Sequence, residues 1–280
     1  MKRAAEPKSA RFGRWLVAII GTLGLLFLAL PVLTIVPLSF SSGSFLTYPL
    51  PGLSLRWYQD FLASPLWTGA LRNSLVVGAC ATVLATSIGT VAALGLNDGR
   101  LPFRGAIMAL ILSPMIVPVV VLGVGVSFLF SALGLTNSFT GLVIAHTTLA
   151  VPFVVVTVSA ALTTLDPSLA RAAASLGAPP LTVFRRITLP IVAPGLLSGA
   201  VFAFATSFDE VVMALFISGP AQMTLPKQMF LSIRETISPT LLAAAVLMTG
   251  FSTTLLLGIE LARRRAARPP GNLVAASRSR

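Results

Sequence analysis

The chain has 280 residues, 55% of them hydrophobic and only 10% charged, with a mean hydropathy of +0.92. Soluble domains carry about 25% charged residues, so this composition cannot cover a water-facing globule and excludes one. The net charge of +12 does not point to nucleic acid, because the basic residues sit at segment ends and in short connectors without aromatic interleaving.

In chain order, apolar segments fall at about 15–40, 70–96, 105–133, 139–164, 194–217 and 240–261. A bilayer core needs about 20 such residues in a helix. The first segment is also longer than the roughly 7–15 residues of a cleavable signal core, which predicts a retained helix. The runs are continuous rather than alternating as a barrel requires. The expected fold is therefore all-α and polytopic, with six transmembrane helices making up a domain over 15–261. Pro31, Pro37, Pro114, Pro118 and Pro152 fall within these segments, and membrane helices tolerate proline when neighbours satisfy the freed backbone.

Cys80, the single cysteine, sits in the second segment and can form no internal disulfide; no metal site is expected. His146, the single histidine, lies in the fourth and reads as a polar link at a helix interface.

The connectors carry the orientation. Sixteen of the 20 Lys and Arg residues fall on one side, in the basic N-terminus (1–14), the second loop (Arg100, Arg104), the fourth (Arg171, Arg185, Arg186) and the basic tail (262–280). Only Arg56, Arg72, Lys227 and Arg234 fall on the other. Both termini are expected in the cytoplasm. The outer connector 41–69 contains "SLRWYQDFLASPLW" and reads as an anchor at the membrane surface.

The cytoplasmic connector 165–193, "LDPSLARAAASLGAPPLTVFRRITLPIVA", is too polar and too punctuated to be slack. Asp166 can cap a helix whose first turn holds Pro167. Gly177 stands where such a helix stops with a left-handed residue, and "LTVFRRITL" predicts a second short helix. Two short helices with a sharp bend make a protruding knob.

That knob carries a family resemblance. "ARAAASLGAPPLTVFRRITLPIVAPGLLSG" resembles the EAA motif of the permease subunits of bacterial ABC importers: Glu-Ala-Ala, three residues, a Gly, and a further stretch ending in Leu-Pro. Ala172, Ala173, Gly177, Ala178, Phe184, Leu189, Pro190, Pro194 and Gly195 fall where that pattern wants them. Arg171 stands where the motif has its Glu, which bears on any salt bridge that Glu would make. The resemblance implies the type I importer permease fold. It also implies that the segment including Arg171, Ala172, Ala173, Leu176, Gly177, Ala178 and Phe184 couples to a separate ATPase subunit.

"NSLVVGACATVLATSIGTVAALGL" resembles the second core helix of the family. "SFDEVVMALFISGPAQMTLPKQMFLSIRETISP" is similar to the last third of the spermidine and putrescine permeases. The implied partners are a second permease chain, expected to be different but related, an ATP-binding subunit dimer holding ATP and Mg, and a periplasmic or extracellular substrate-binding protein. The implied location is the bacterial inner membrane, in contact with the lipid bilayer. No cofactor is expected on this chain, which has no Gly-Lys dipeptide and hence no phosphate-binding Walker A loop. Related branches carry amino-acid derivatives, opines, phosphonates or iron, and these solutes stay open beside a polyamine.

"AFATSFDEVVMALF" (203–216) sets two of the eight acidic residues side by side in an apolar run, where a mid-bilayer charge costs about 2.5–3.5 kcal/mol. Adjacent helical residues point about 100° apart. On a continuous helix Glu210 falls on the small-residue stripe of Gly195, Gly199, Ala203 and Ser207, at a helix seam. Asp209 falls with Phe202, Thr206, Met213 and Phe216, a flank suited to a translocation pathway for an alkyl ammonium. The alternative is that both acids are structural, paired with Arg72, Arg234 or Lys227. An intramembrane aspartyl enzyme would need two carboxylates converging from separate helices, which adjacent positions do not provide. A passive channel would leave the knob without a purpose.

Overall fold

A computed structural model describes residues 8–97, 101–235 and 238–266. The basic stretch 1–7, Arg100 and the tail 267–280, which carry part of the charge asymmetry, lie outside the described residues. Within them, regular structure is helical apart from one isolated antiparallel bridge between Ser41 and Leu53.

Helix α1 (Lys8–Ser39) leads to a connector tied by the Trp57 indole N–H, which donates to Ser41 O at 2.7 Å. The short amphipathic α2 (Arg56–Ala63) buries Trp57 and Phe61. Helix α3 (Pro65–Asn97) begins inside the expected outer connector and takes over its last five residues.

The expected span 105–133 is instead two helices, α4 (Arg104–Ile116) and α5 (Val119–Ala132), meeting at 105°. Pro118 explains the break: it lacks an N–H and drives Val117 out of the helical region, to ψ 132°. Each half is about 20 Å long, short of a bilayer core of about 30 Å. Five described helices are long and apolar enough to cross a membrane, or six if the bent pair counts as one span.

Helix α6 (Phe139–Leu162) is followed by the knob helix α7 (Pro167–Ser175). The predicted second short helix, α8 (Pro180–Val183), does not end before Leu189-Pro190. It runs through a π turn at Phe184–Thr188 into α9 (Leu189–Phe208). In that turn the Leu189 N–H bonds Phe184 O, five residues back, and the wider turn precedes the ring of Pro190, which has no N–H to give. The remaining elements are α10 (Val212–Ile217), a 3-10 turn (Pro220–Gln222), α11 (Leu225–Glu235) and α12 (Thr240–Ala266).

The centre is the triplet α3, α6 and α9, packed around Ala85, Ala93, Ala150, Val154, Val158, Val192 and Ala203. Lipid offers no hydrophobic drive between helices, so close approach through small residues supplies the contact. A Cβ at Gly195 would lie 2.5 Å from Ala161 Cβ and 2.8 Å from Thr157 O, and one at Gly199 would lie 2.5 Å from Thr157 Oγ1. Both glycines lie against α6. His146 of α6 meets Ser207 of α9 in the same seam, Nδ1 to Oγ 2.8 Å.

Candidate functional site: the knob and the broken end of α9

At one end of α9 is the knob. The Asp166 carboxylate accepts from the Ser168 N–H at 2.8 Å, capping α7 one residue ahead of Pro167. The Ser168 backbone N–H first, then its hydroxyl and the Arg171 guanidinium, hold the Asp166 carboxyl below the usual carboxylate range. Gly177 ends the helix at φ +80°, with the Ala178 N–H returning to Ala173 O. Leu176 is 89% exposed, and Leu169 and Leu181 also face outward. Arg171 and Ala172 are exposed, Ala173 and Ala178 half-buried, and Phe184 opens the π turn.

The other end departs from the sequence reading. Helix α9 stops at Phe208, Asp209 is its C-cap residue, and the chain restarts as α10 three residues later. The expected continuous helix 194–217 does not exist, so faces drawn across residues 209 and 210 do not hold. Glu210 is not in the Gly195–Gly199 seam. Its Oε1 accepts from the Val212 N–H at 2.7 Å and the Met213 N–H at 3.0 Å, capping α10. A six-residue helix leaves all its end groups unsatisfied unless something caps it, and this site supplies both caps. At the far end the buried Lys227 Nζ donates to Ala214 O (3.1 Å), Ser218 O (2.6 Å) and Ser218 Oγ (3.0 Å). Negative charge at the N-terminus and positive at the C-terminus match the helix dipole. Asn73 and Ser74 of α3 tie down the following segment, through Asn73 Nδ2 to Ala221 O and Met223 O and the Leu225 N–H to Ser74 Oγ.

The flank expected beside Asp209 is dispersed. Met213 is buried among Phe130, Ala145, Leu149 and Ile217. Phe216 lies over Gly123 of α5, Phe202 stacks on Phe153 at 6.3 Å, and Thr206 is half-buried on α9.

Asp209 is exposed, and its carboxylate makes no hydrogen bond or ion pair among the described residues. The pairing with Arg72, Arg234 or Lys227 does not form: Lys227 is spent on carbonyls and Arg234 lies over the Phe230 ring at 4.9 Å. Asp209 opens into a groove of about 390 Å³ shared with Ala205 of α9, Met229 of α11, and Met248, Thr249, Ser252 and Thr253 of α12. The α11 and α12 residues were beyond sequence reasoning, since nothing local ties residue 209 to residues 20 to 44 positions on. No three of His, Cys, Asp and Glu converge among the described residues.

Residues 85–268 match the family described as binding-protein-dependent transport system inner membrane component. The putrescine transport system permease protein PotI of Escherichia coli is 37% identical over 243 residues, 84% of this chain and 86% of that protein. The spermidine/putrescine transport system permease protein PotC of Haemophilus influenzae is 30% identical over 85% of this chain and 93% of its own. Among solved structures, a bacterial ABC transporter that imports the acidic polysaccharide alginate superposes with a TM-score of 0.72 at 15% identity, over 93% of this chain and 99% of that one, which speaks for the fold. The chain belongs to this family: it is a multi-span membrane permease subunit of an ABC importer, a transport subunit and not an enzyme.

Proposed function

We propose that this chain forms half of the pathway by which a small organic cation of the polyamine class crosses the bacterial inner membrane, with both termini in the cytoplasm. The observation that carries the reading is the uncommitted Asp209 carboxylate, set in a groove with two thioether side chains and three hydroxyls. Intramembrane carboxylates are costly and mark solute pathways, and an alkyl ammonium offers the charge and the carbon stem such a groove suits. The likeness to permeases named for putrescine and for spermidine/putrescine supports the same class.

A second, related permease chain completes the pathway, and an external binding protein delivers the solute. The α7 knob, with its outward Leu169, Leu176 and Leu181, docks in a groove of a separate ATP-binding subunit, where ATP and Mg are held. Arg171 pairs there with an acidic rim.

The test is the ligand of the cognate binding protein, measured by calorimetry, followed by ATP-driven uptake into liposomes carrying the co-purified importer. Binding and uptake of labelled putrescine or spermidine are expected. A binding protein that takes an anion or a sugar and ignores amines would overturn the substrate, and failure of the ATPase subunit to co-purify would overturn the coupling role.

A further inference from the structure

Many hydroxyl groups on the membrane-crossing helices bond within their own helix. Thr34, Thr82, Thr148, Ser198 and Thr254 each donate to the carbonyl four residues back, at 2.6–3.0 Å. In lipid this is the expected solution, because no water is there to accept. Thr249, Ser252 and Thr253 of α12 make no hydrogen bond among the described residues. Thr86, Thr90 and Ser159 are also unbonded, but their oxygens are buried between helices, whereas the three on α12 open into a groove. The contrast is sharpest between Thr253 and its neighbour Thr254, which is bonded to Gly250 O.

All three free hydroxyls line the Asp209 groove. Positions 252 and 253 lie three and four beyond 249, so each neighbours Thr249 across a single turn, and the three span an arc of about 100° on α12. Thr249 and Thr253 are exposed and Ser252 half-buried, which leaves their oxygens available to a ligand. Glu210 is engaged on the Val212 and Met213 N–H groups, so the groove offers one free carboxylate.

We infer that the Asp209 groove is a site for one primary ammonium at a time, with Thr249, Ser252 and Thr253 as the residues that determine its specificity. A primary ammonium has three N–H donors. Asp209 takes the charge and one of them, and the hydroxyls accept the others. A quaternary ammonium of equal charge has no donor to give and would leave these oxygens unpaired, and a site built on hydrogen bonds discriminates strongly against such an analogue. The inference rests on the cation reading above and adds which cations the permease itself accepts.

The test compares putrescine with its fully N-methylated derivative, by equilibrium binding to the purified permease–ATPase complex without the binding protein. The wild-type complex is expected to prefer putrescine by at least about tenfold, or 1.4 kcal/mol. The triple variant Thr249→Val, Ser252→Ala, Thr253→Val should bind both about equally. Thr249→Ser with Thr253→Ser should restore the preference, and Asp209→Asn should weaken both ligands. A triple variant that keeps the preference, a loss of both ligands alike in that variant, or no binding of either by a wild-type complex that still drives putrescine uptake would each overturn the inference. Absence of amine uptake by the whole wild-type importer would instead overturn the substrate reading on which it rests.

Discussion

The two ends of α9 use one device in two settings. At the knob, Asp166 caps the nine-residue α7 with a single N–H in the open. At the break, Glu210 caps the six-residue α10 with two, and Lys227 holds its other end. An exposed cap competes with water and contributes little beyond directing the chain. A cap on a short helix inside an apolar fold has no water to replace it, so its removal leaves backbone groups unpaired. The difference shows why two adjacent acids tolerate an apolar run: Glu210 is consumed by the backbone, and Asp209 is left free.

Several substitutions sharpen or break this comparison, each read by thermal unfolding of the purified complex. Lys227→Met should have the largest effect, about 3 kcal/mol, since three charge-assisted bonds go and two buried carbonyls stay; a change within error would mean the C-terminal cap is idle. Glu210→Ala should cost about 2 kcal/mol, and Glu210→Gln less, because an amide oxygen still accepts both N–H groups. Equal losses for the two would show that charge, not acceptance, holds α10. Gly177→Ala forces a Cβ into the left-handed region at φ +80° and should cost about 1 kcal/mol. Asp166→Ala should cost least. Its depressed carboxyl fixes the pH dependence: the cap is fully present above the unfolded aspartate value of about 3.9 and is lost as pH falls through the lower folded value. If wild type and Asp166→Ala diverge near neutral pH instead, this cap is not the cause.

The knob was legible because its signals are local. An Asp-Pro start and a Gly stop act within their own turn, and the structure has both where the sequence has them. The Gly195–Gly199 stripe was legible for the same reason, being a period along one unbroken helix. The break after Phe208 was not. Residues 203–217 contain no Gly or Pro, and an apolar run with helical spacing predicts continuation. Glu210 turns back locally onto the Val212 and Met213 N–H groups, but an acid in an apolar run is not by itself a stop signal. The chain from the end of α10 onward is held by tertiary contacts from Lys227 and, on α3, Asn73 and Ser74. The bend between α4 and α5 is the intermediate case, since Pro118 was visible but its 105° consequence was not.

The division of labour between the two acids is tested most directly by uptake kinetics of Asp209→Asn in the reconstituted importer, set beside Glu210→Gln. With normal assembly and ATPase activity, Asp209→Asn should raise the KM for putrescine at least tenfold, equivalent to about 1.4 kcal/mol, while Glu210→Gln should lower thermal stability and leave KM unchanged. Wild-type KM in a fully assembled Asp209→Asn importer would contradict the account.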